Sequence, residues 1–162
     1  MVETGVCNGC STLFLLLALN KNEKGHLYSI DYPFYADESI SEFKSETFDN
    51  YGGAAIPSDR EPGWIIPNDL RSRWTLSLGK TQEKLPRLLD EVAPVDFFIH
   101  DSEHSHPCMM MEFELAWTYL AKSGWIISDD IDWNTSWEIF TEVRDPSQTG
   151  QIATSIGYLR TS

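Results

Sequence analysis

The sequence predicts an α/β fold whose doubly wound, mostly parallel sheet carries helices on both faces, and three observations support this. Apolar segments of strand length alternate with segments of helix length along most of the 162 residues. One segment, Val95–His100, is almost continuously apolar, which is typical of a strand buried on both faces. Acidic residues directly follow several strands, at the edge where such sheets bind ligands. Together these features describe a Rossmann-like domain.

A strand–turn–helix opens the chain. A brief extended segment leads into Gly5 and Gly9, and a helix over Leu13–Leu19 follows, with Ser11 or Thr12 as the expected cap. Glycine in such a turn reaches backbone angles that other residues avoid, and it lets a ligand approach the chain closely. The free N–H groups of the helix complete an electropositive cup for a carboxylate or phosphate. An ordinary tight turn is the alternative, and the pattern alone favours neither interpretation.

The other elements follow from apolar periodicity and turn residues. Residues 32–66 follow no regular pattern apart from a helix predicted at Ser39–Phe48, and we interpret them as an insertion that forms a lid or binding loop. We expect one domain over residues 1–162, short at its N-terminus. The remaining predicted elements are the strand His26–Asp31, a helical turn at Asp69–Arg73, the strand Trp74–Leu78, a helix from Thr81 to Val92, the strand Val95–His100, a helix from Pro107 to Lys122, the strand Trp125–Ser128, a helix that Asn134 or Thr135 caps and that runs through Val143, and a last strand at Ile152–Leu159.

Composition excludes several classes of protein. The formal net charge of −13 disfavours nucleic acids and anionic membranes as partners, because both bind basic surfaces. No apolar run reaches membrane-spanning length and no signal peptide is evident, so we expect a cytoplasmic protein. Cys7 and Cys10 have Cys-x-x-Cys spacing, but no second pair completes a zinc site. We favour small residues that line a turn over a redox dithiol.

Acidic side chains follow two predicted neighbouring strands. Asp101 comes directly after the fourth strand, and Asp129 and Asp130 come after the fifth. One βαβ crossover separates them and returns the chain beside its starting strand, so we expect the three carboxylates to converge. They repel one another unless a cation lies between them, and a ligand set of oxygen atoms suits Mg²⁺. Solvated carboxylates that only cap the next helix are the alternative.

Histidines surround Asp101 in the sequence. His104 lies three positions past Asp101, on the loop where a general base with a pKa suited to neutral pH would lie. We interpret His100 as a structural residue at the end of its strand and His106 as a surface residue near a helix start. If these histidines were ligands, Zn²⁺ or Fe²⁺ would replace Mg²⁺ as the expected metal.

These residues resemble the class I S-adenosylmethionine-dependent methyltransferases. More narrowly, they resemble the metal-dependent small-molecule O-methyltransferases of the catechol and macrolide-sugar types, and a broad bacterial and archaeal methyltransferase family with an Asp-x-x-His-Ser motif. The resemblance covers most of the chain outside residues 32–66. It is carried by Glu3-x-Gly5-x-x-x-Gly9-x-Ser11, by Asp31 at the second strand end, by Asp101-x-x-His104-Ser105, and by Gly124 to Asp130.

The resemblance implies S-adenosylmethionine as methyl donor and Mg²⁺ as metal. His104 would remove the proton of the acceptor hydroxyl, and Asp101 would share the catalytic role. The implied metal ligands are Asp101, Asp129 and Asp130. The implied cofactor-binding residues are Glu3, Gly5, Cys7 and Gly9 at the methionine moiety, Ser11 at its carboxylate, Asp31 at the ribose hydroxyls, and Asp101.

Three functions stay open at this point. The first is metal-assisted O-methylation of a small-molecule hydroxyl, as on a sugar or phenol. The second is a metal-independent methyltransferase of the same fold, and the third is a cofactor-binding or oligomer-forming remnant without turnover. The expected partner is a small-molecule substrate, and homo-oligomerisation is left open. A nicotinamide oxidoreductase is disfavoured, because the third glycine of its fingerprint is absent.

Overall fold

A computed structural model describes residues 1–35 and 54–162 of the chain. Its centre is a seven-stranded sheet, and a separate pair of two-residue strands lies outside it. The strands are β1 (Val2–Thr4), β2 (Leu27–Asp31), β3 (Phe34–Tyr35), β4 (Ala55–Ile56), β5 (Trp74–Leu78), β6 (Val95–His100), β7 (Leu120–Ser128), β8 (Gln148–Gln151) and β9 (Gly157–Arg160). The helices are α1 (Cys10–Lys21), a 3₁₀ helix (Asn68–Arg73), α2 (Thr81–Val92), α3 (His106–Tyr119) and α4 (Ser136–Arg144).

The order of strands in the sheet determines where a ligand can bind. The order is β5-β2-β1-β6-β7-β9-β8, in which β9 runs antiparallel to both of its neighbours and the other pairings are parallel. The direction of winding reverses between β1 and β6, which lie side by side. In an open α/β sheet this switch point leaves a crevice outside the carboxyl ends of the strands. The predicted fold class is confirmed.

Two apolar clusters hold helices against opposite faces of the sheet. The larger cluster packs α2, α3 and α4 through buried side chains that include Leu89, Phe113 and Phe140. The smaller one packs α1 and the 3₁₀ helix through Leu16, Leu27, Leu70 and their neighbours. Full burial of a large apolar side chain stabilises the fold by about 1.5–3 kcal/mol, so these clusters are what keep the strand ends in place.

Two predicted boundaries near the C-terminus are wrong. The helix α3 ends at Tyr119 and not at Lys122, because Leu120 takes an extended backbone (φ −63°, ψ 142°) and pairs with Val95 of β6. The strand β7 therefore begins at Leu120 and not at Trp125. The apolar pattern around Leu120 fits a helix and a strand equally well, and the pairing with β6 decides between them.

The last predicted strand is wrong as well. In place of one strand at Ile152–Leu159, the chain forms the antiparallel hairpin of β8 and β9, with Ile152 in the connection. The strand β8 lies entirely before the predicted range. Its residues are polar and mostly exposed, so only the backbone pairing with β9 defines the strand.

Part of the predicted insertion is described. The strands β3 and β4 pair in parallel, and the 3₁₀ helix confirms the helical turn predicted at Asp69–Arg73. The helix predicted at Ser39–Phe48 lies outside the described residues. Within residues 1–35 and 54–162, no helix combines the length and apolarity that crossing a membrane requires.

Candidate active site

Gly5 lets two strand ends approach each other at the switch point. It has a left-handed backbone (φ 87°), and its N–H donates to the Ile30 carbonyl at 2.9 Å. A Cβ placed on Gly5 would lie 1.7 Å from the carbonyl oxygen of Asp101. No side chain fits at that distance. The loop after β1 and the loop after β6 are therefore in direct backbone contact because residue 5 is a glycine.

We expect Gly5→Ala to unfold or distort this junction. The left-handed backbone and the overlap with a backbone oxygen act together, so the loss in free energy of unfolding should be about 3 kcal/mol or more. Urea unfolding of the wild type, Gly5→Ala and Gly150→Ala measures this. Gly150 is the control because its added Cβ would meet only the end of the Tyr158 side chain. Equal losses in the two variants would contradict the special role of Gly5.

Glu3 lies beneath the turn and not on its open side. Its side chain is fully buried, and its oxygens accept hydrogen bonds from Ser11 Oγ (2.8 Å), Thr12 Oγ1 (2.8 Å) and Ser29 Oγ (2.7 Å). The predicted capping role of Ser11 or Thr12 is wrong, because Gly9 occupies the cap position and no side chain caps the helix. Burial raises the pKa of Glu3, while these hydroxyls oppose the shift. Glu3 thus ties β1, β2 and α1 together.

A cleft opens beside the turn, and four of the predicted site residues line it: Gly5, Cys7, Asp31 and Asp101. The predicted residues Glu3, Gly9 and Ser11 lie outside its lining. Residues from the start of α2 and from the insertion complete the wall, and the sequence did not single out most of them as site residues. They include Tyr32, Phe34, Ile56, Lys80, Thr81 and Gln82.

Asp31 lines this cleft, and one of its carboxylate oxygens has no partner in the described part of the chain. Its Oδ1 accepts a hydrogen bond from the Val6 N–H at 3.3 Å, whereas its Oδ2 is buried and has no partner among the described residues. Burial raises the pKa of Asp31 to about 6, against the backbone N–H groups that favour its ionised form. A buried oxygen without a partner is costly, so this atom is suited to a ligand that brings hydroxyl donors.

The carboxylates after β6 and β7 are close enough to act on one another electrostatically. Burial raises the pKa of Asp101 to about 8, and Asp129, Glu3 and Asp130 add to the shift, with Asp129 within hydrogen-bonding reach. Asp130 has a left-handed backbone (φ 49°), a strained conformation of the kind that clusters at functional sites. In the described parts of the chain, however, no three His, Cys, Asp or Glu side chains are arranged as a metal site.

His104 is buried beside these carboxylates. Its Nε2 lies 3.5 Å from Asp130 Oδ2, and its ring packs edge-on against His100 at 5.2 Å between centroids. Burial and the nearby His100 lower the pKa of His104 to about 4. The ring is therefore neutral at physiological pH and has a nitrogen lone pair with which to accept a proton. Its pKa lies well below neutrality, so the expectation of a pKa suited to neutral pH is wrong.

The surroundings of Cys7 and His106 agree with a residue that lines a turn and with a surface residue, respectively. Burial raises the pKa of the Cys7 thiol, which disfavours the thiolate that redox chemistry needs. His106 is exposed, and its Nδ1 lies 2.7 Å from the Ser136 hydroxyl. His100 is fully buried, as expected of a structural residue.

Known proteins resemble this chain in sequence profile and in fold. The profile of a methyltransferase-domain family matches residues 2–131. No curated protein sequence matches at a significant level. Solved structures of two O-methyltransferases and of one further methyltransferase, none above 17% identity, have the same fold.

This chain spans about 70% of the length of each of the first two enzymes. The O-methyltransferase NovP has a TM-score of 0.68 at 14% identity, over 100% of this chain and 71% of NovP. CalS11, a TDP-rhamnose 3′-O-methyltransferase of calicheamicin biosynthesis, has a TM-score of 0.65 at 17% identity, over 99% of this chain and 70% of CalS11.

The third is a longer protein. The mycinamycin methyltransferase MycE, solved with Mg, S-adenosylhomocysteine and mycinamycin VI, has a TM-score of 0.59 at 13% identity. The match covers 99% of this chain and 44% of MycE. The family profile covers most of the chain, and the fold agrees with it: this protein belongs to the class I S-adenosylmethionine-dependent methyltransferases.

Proposed function

We propose that this protein transfers a methyl group from S-adenosylmethionine to a hydroxyl of a small molecule with the help of Mg²⁺. One observation carries the proposal: a cleft with an unpaired buried acceptor, Asp31 Oδ2, adjoins a carboxylate cluster at the same switch point of the sheet. The first feature suits the donor, and the second supplies oxygen ligands of the kind that a divalent cation prefers. Asp101 belongs to both the cleft and the cluster.

The donor fits the cleft through its ribose. Asp31 ends β2 and lines the cleft, and the two ribose hydroxyls would donate to its oxygen that has no partner among the described residues. Gly5 and Cys7 line the wall on which the methionine moiety would lie. Glu3 supports that wall from below through the hydroxyls of Ser11 and Thr12.

Asp101, Asp129 and Asp130 would hold the metal. The raised pKa of Asp101 reflects burial beside other acids, and a divalent cation would relieve that unfavourable arrangement. Carboxylate oxygens are the ligands that Mg²⁺ prefers. When bound, Mg²⁺ would supply a positive charge that lowers the pKa of an acceptor hydroxyl and orients it.

His104 would act as the general base. It is neutral at physiological pH, and Nε2 is the nitrogen that faces Asp130 and hence the proposed acceptor position. It would take the hydroxyl proton as the oxygen attacks the sulfonium methyl. Placing two bound reactants side by side would supply most of the rate. The net charge of −13 suits a neutral or cationic small acceptor and disfavours RNA.

Methyl transfer to a panel of sugars, nucleotide sugars and phenols, followed by mass spectrometry, tests this proposal. We expect product with at least one acceptor and a fall in turnover of about 1,000-fold or more when EDTA removes the metal, since metal catalysis is worth several kcal/mol. Added Mg²⁺ should restore turnover, and binding of S-adenosylhomocysteine should survive EDTA.

The other outcomes separate the alternatives. Turnover that EDTA does not change would favour a metal-independent methyltransferase. Binding of S-adenosylhomocysteine without methylation of any acceptor would favour a remnant that retains only the cofactor site. Absence of binding would contradict the donor site itself.

A further inference from the structure

A fully buried carboxylate, that of Glu112, lies behind the site. Glu112 is on α3, among apolar residues of the same helix that face the core, such as Met109, Phe113 and Ala116. A charge at such a position is costly unless hydrogen bonds satisfy it. Its side chain is therefore expected to accept hydrogen bonds from neighbouring groups, and the identity of these donors indicates its role.

Glu112 accepts hydrogen bonds from residues on several elements of the site. Its Oε2 accepts from Thr4 Oγ1 at 2.5 Å and lies 2.8 Å from His100 Nδ1. Its Oε1 accepts from Ser102 Oγ at 2.8 Å and from Cys108 Sγ at 3.5 Å. Thr4 ends β1, His100 ends β6, and Ser102 follows Asp101 in the loop that carries the predicted catalytic residues.

The chemistry fixes the direction of these bonds. Burial alone would raise the pKa of Glu112, but His100 and the hydroxyl donors outweigh it, so the pKa lies below its ordinary value and the group is ionised. An ionised carboxylate only accepts hydrogen bonds. His100 must therefore carry its proton on Nδ1 and donate it to Glu112. This hydrogen bond fixes the orientation of the His100 ring, which packs edge-on against His104 at 5.2 Å between centroids.

We propose that Glu112 is a positioning residue, which holds the loop after β6 and the His100–His104 ring pair in the geometry that methyl transfer needs. This inference rests on the proposed function, because the measurement of kcat requires that the protein transfers methyl groups. Glu112 touches neither the cleft nor the proposed metal ligands directly. It acts through Ser102 on the loop and through His100 on His104.

The cofactor turn is held separately. Gly5 donates to Ile30, Asp31 accepts from Val6, and Asp101 N–H donates to the Thr4 carbonyl at 2.8 Å, all without Glu112. A change at residue 112 should therefore affect turnover more than donor binding. That difference separates a positioning role from general destabilisation.

The test compares the wild type with Glu112→Gln and Phe140→Leu. Phe140 is equally buried and packs against Phe113 and Trp117, and Phe113 separates it from His100, so Phe140→Leu is a control for lost core stability. Well below the unfolding temperatures, Glu112→Gln should lower kcat by about 10- to 100-fold, as loss of a supporting hydrogen bond typically does. The Kd for S-adenosylhomocysteine should be unchanged, and Phe140→Leu should keep its kcat.

A second readout needs no turnover. Long-range ¹H–¹⁵N spectra of the histidine rings should show His100 protonated on Nδ1 in the wild type, and Glu112→Gln should shift the ring nitrogens of both His100 and His104. Ser102→Ala, which removes one donor, should act in the same direction on kcat with less loss of stability.

These readouts keep the two proposals apart. If the wild type methylates no acceptor, the proposed function fails. The spectra alone then test whether Glu112 positions the rings of His100 and His104. Unchanged His104 signals in Glu112→Gln, or a kcat no lower than that of Phe140→Leu, would overturn the positioning role.

Discussion

Asp101→Asn should abolish turnover and at the same time make the protein more stable. We expect kcat to fall by about 1,000-fold or more, because the proposed metal contributes several kcal/mol to the transition state and Asp101 would be its central ligand. Asparagine keeps the size of the side chain but removes its charge. The loss of turnover and the gain in stability have one cause. The proposed site needs carboxylates buried close together, and this arrangement destabilises the folded protein.

The gain in stability should depend on pH. The pKa of Asp101 is raised to about 8 in the folded protein, whereas the unfolded chain loses this proton near the ordinary value of 3.8. Between these values the folded state binds more protons, so Asp101 lowers the free energy of unfolding as pH rises. In metal-free buffer, Asp101→Asn should therefore stabilise the protein by at least about 1 kcal/mol at pH 8 and by less at pH 5.

Thermal unfolding at these two pH values, with activity assays at pH 8, tests this prediction. Asp132→Asn is the matched control, because Asp132 is an exposed acid on the loop that follows Asp130. It should keep turnover within a few-fold and change stability little at either pH. A destabilised Asp101→Asn variant would show that the carboxylates do not repel one another as we infer.

The sequence was sufficient to predict the part of the site that local rules determine. Residues that end a parallel strand come together at one edge of a sheet, so Asp31, Asp101 and Asp129 could be placed before any coordinates were known. Gly5 could be identified from its turn, although the close approach to Asp101 that explains it is a tertiary contact. The alternation of strands and helices predicted the fold for the same reason.

Features that depend on long-range pairing escaped prediction. Glu112 is one acid among 25 Asp and Glu, and only the apolar pattern of Met109, Phe113 and Ala116 around it signals burial. The donors that satisfy Glu112 come from distant segments, as in the contact with Thr4, 108 positions away. The strand β8 has no apolar pattern of its own, because pairing with β9 defines it.

Asp31 should make donor binding depend on pH below neutrality. Its pKa is raised to about 6, and hydroxyl donors of a ribose favour the ionised form. Affinity for S-adenosylhomocysteine should therefore rise with pH and level off above about 6, and at pH 5 it should be about tenfold below that plateau. Asp101, with a pKa of about 8, stays protonated below pH 7, and His104 titrates near 4, so neither group obscures this window.

Asp31→Asn isolates this effect. It should weaken binding of S-adenosylhomocysteine at pH 7 by about 10- to 100-fold, since hydrogen bonds to a charged acceptor are worth 1.5–3 kcal/mol. It should also remove the dependence on pH between 5 and 7. Titration calorimetry across this range, without Mg²⁺, measures both effects, and Asp59→Asn serves as an exposed control. A variant that binds more weakly but keeps the same dependence on pH would mean that another group titrates in the cleft. In that case Asp31 would not be the acceptor for the ribose, and the donor would have to lie differently against Gly5 and Cys7.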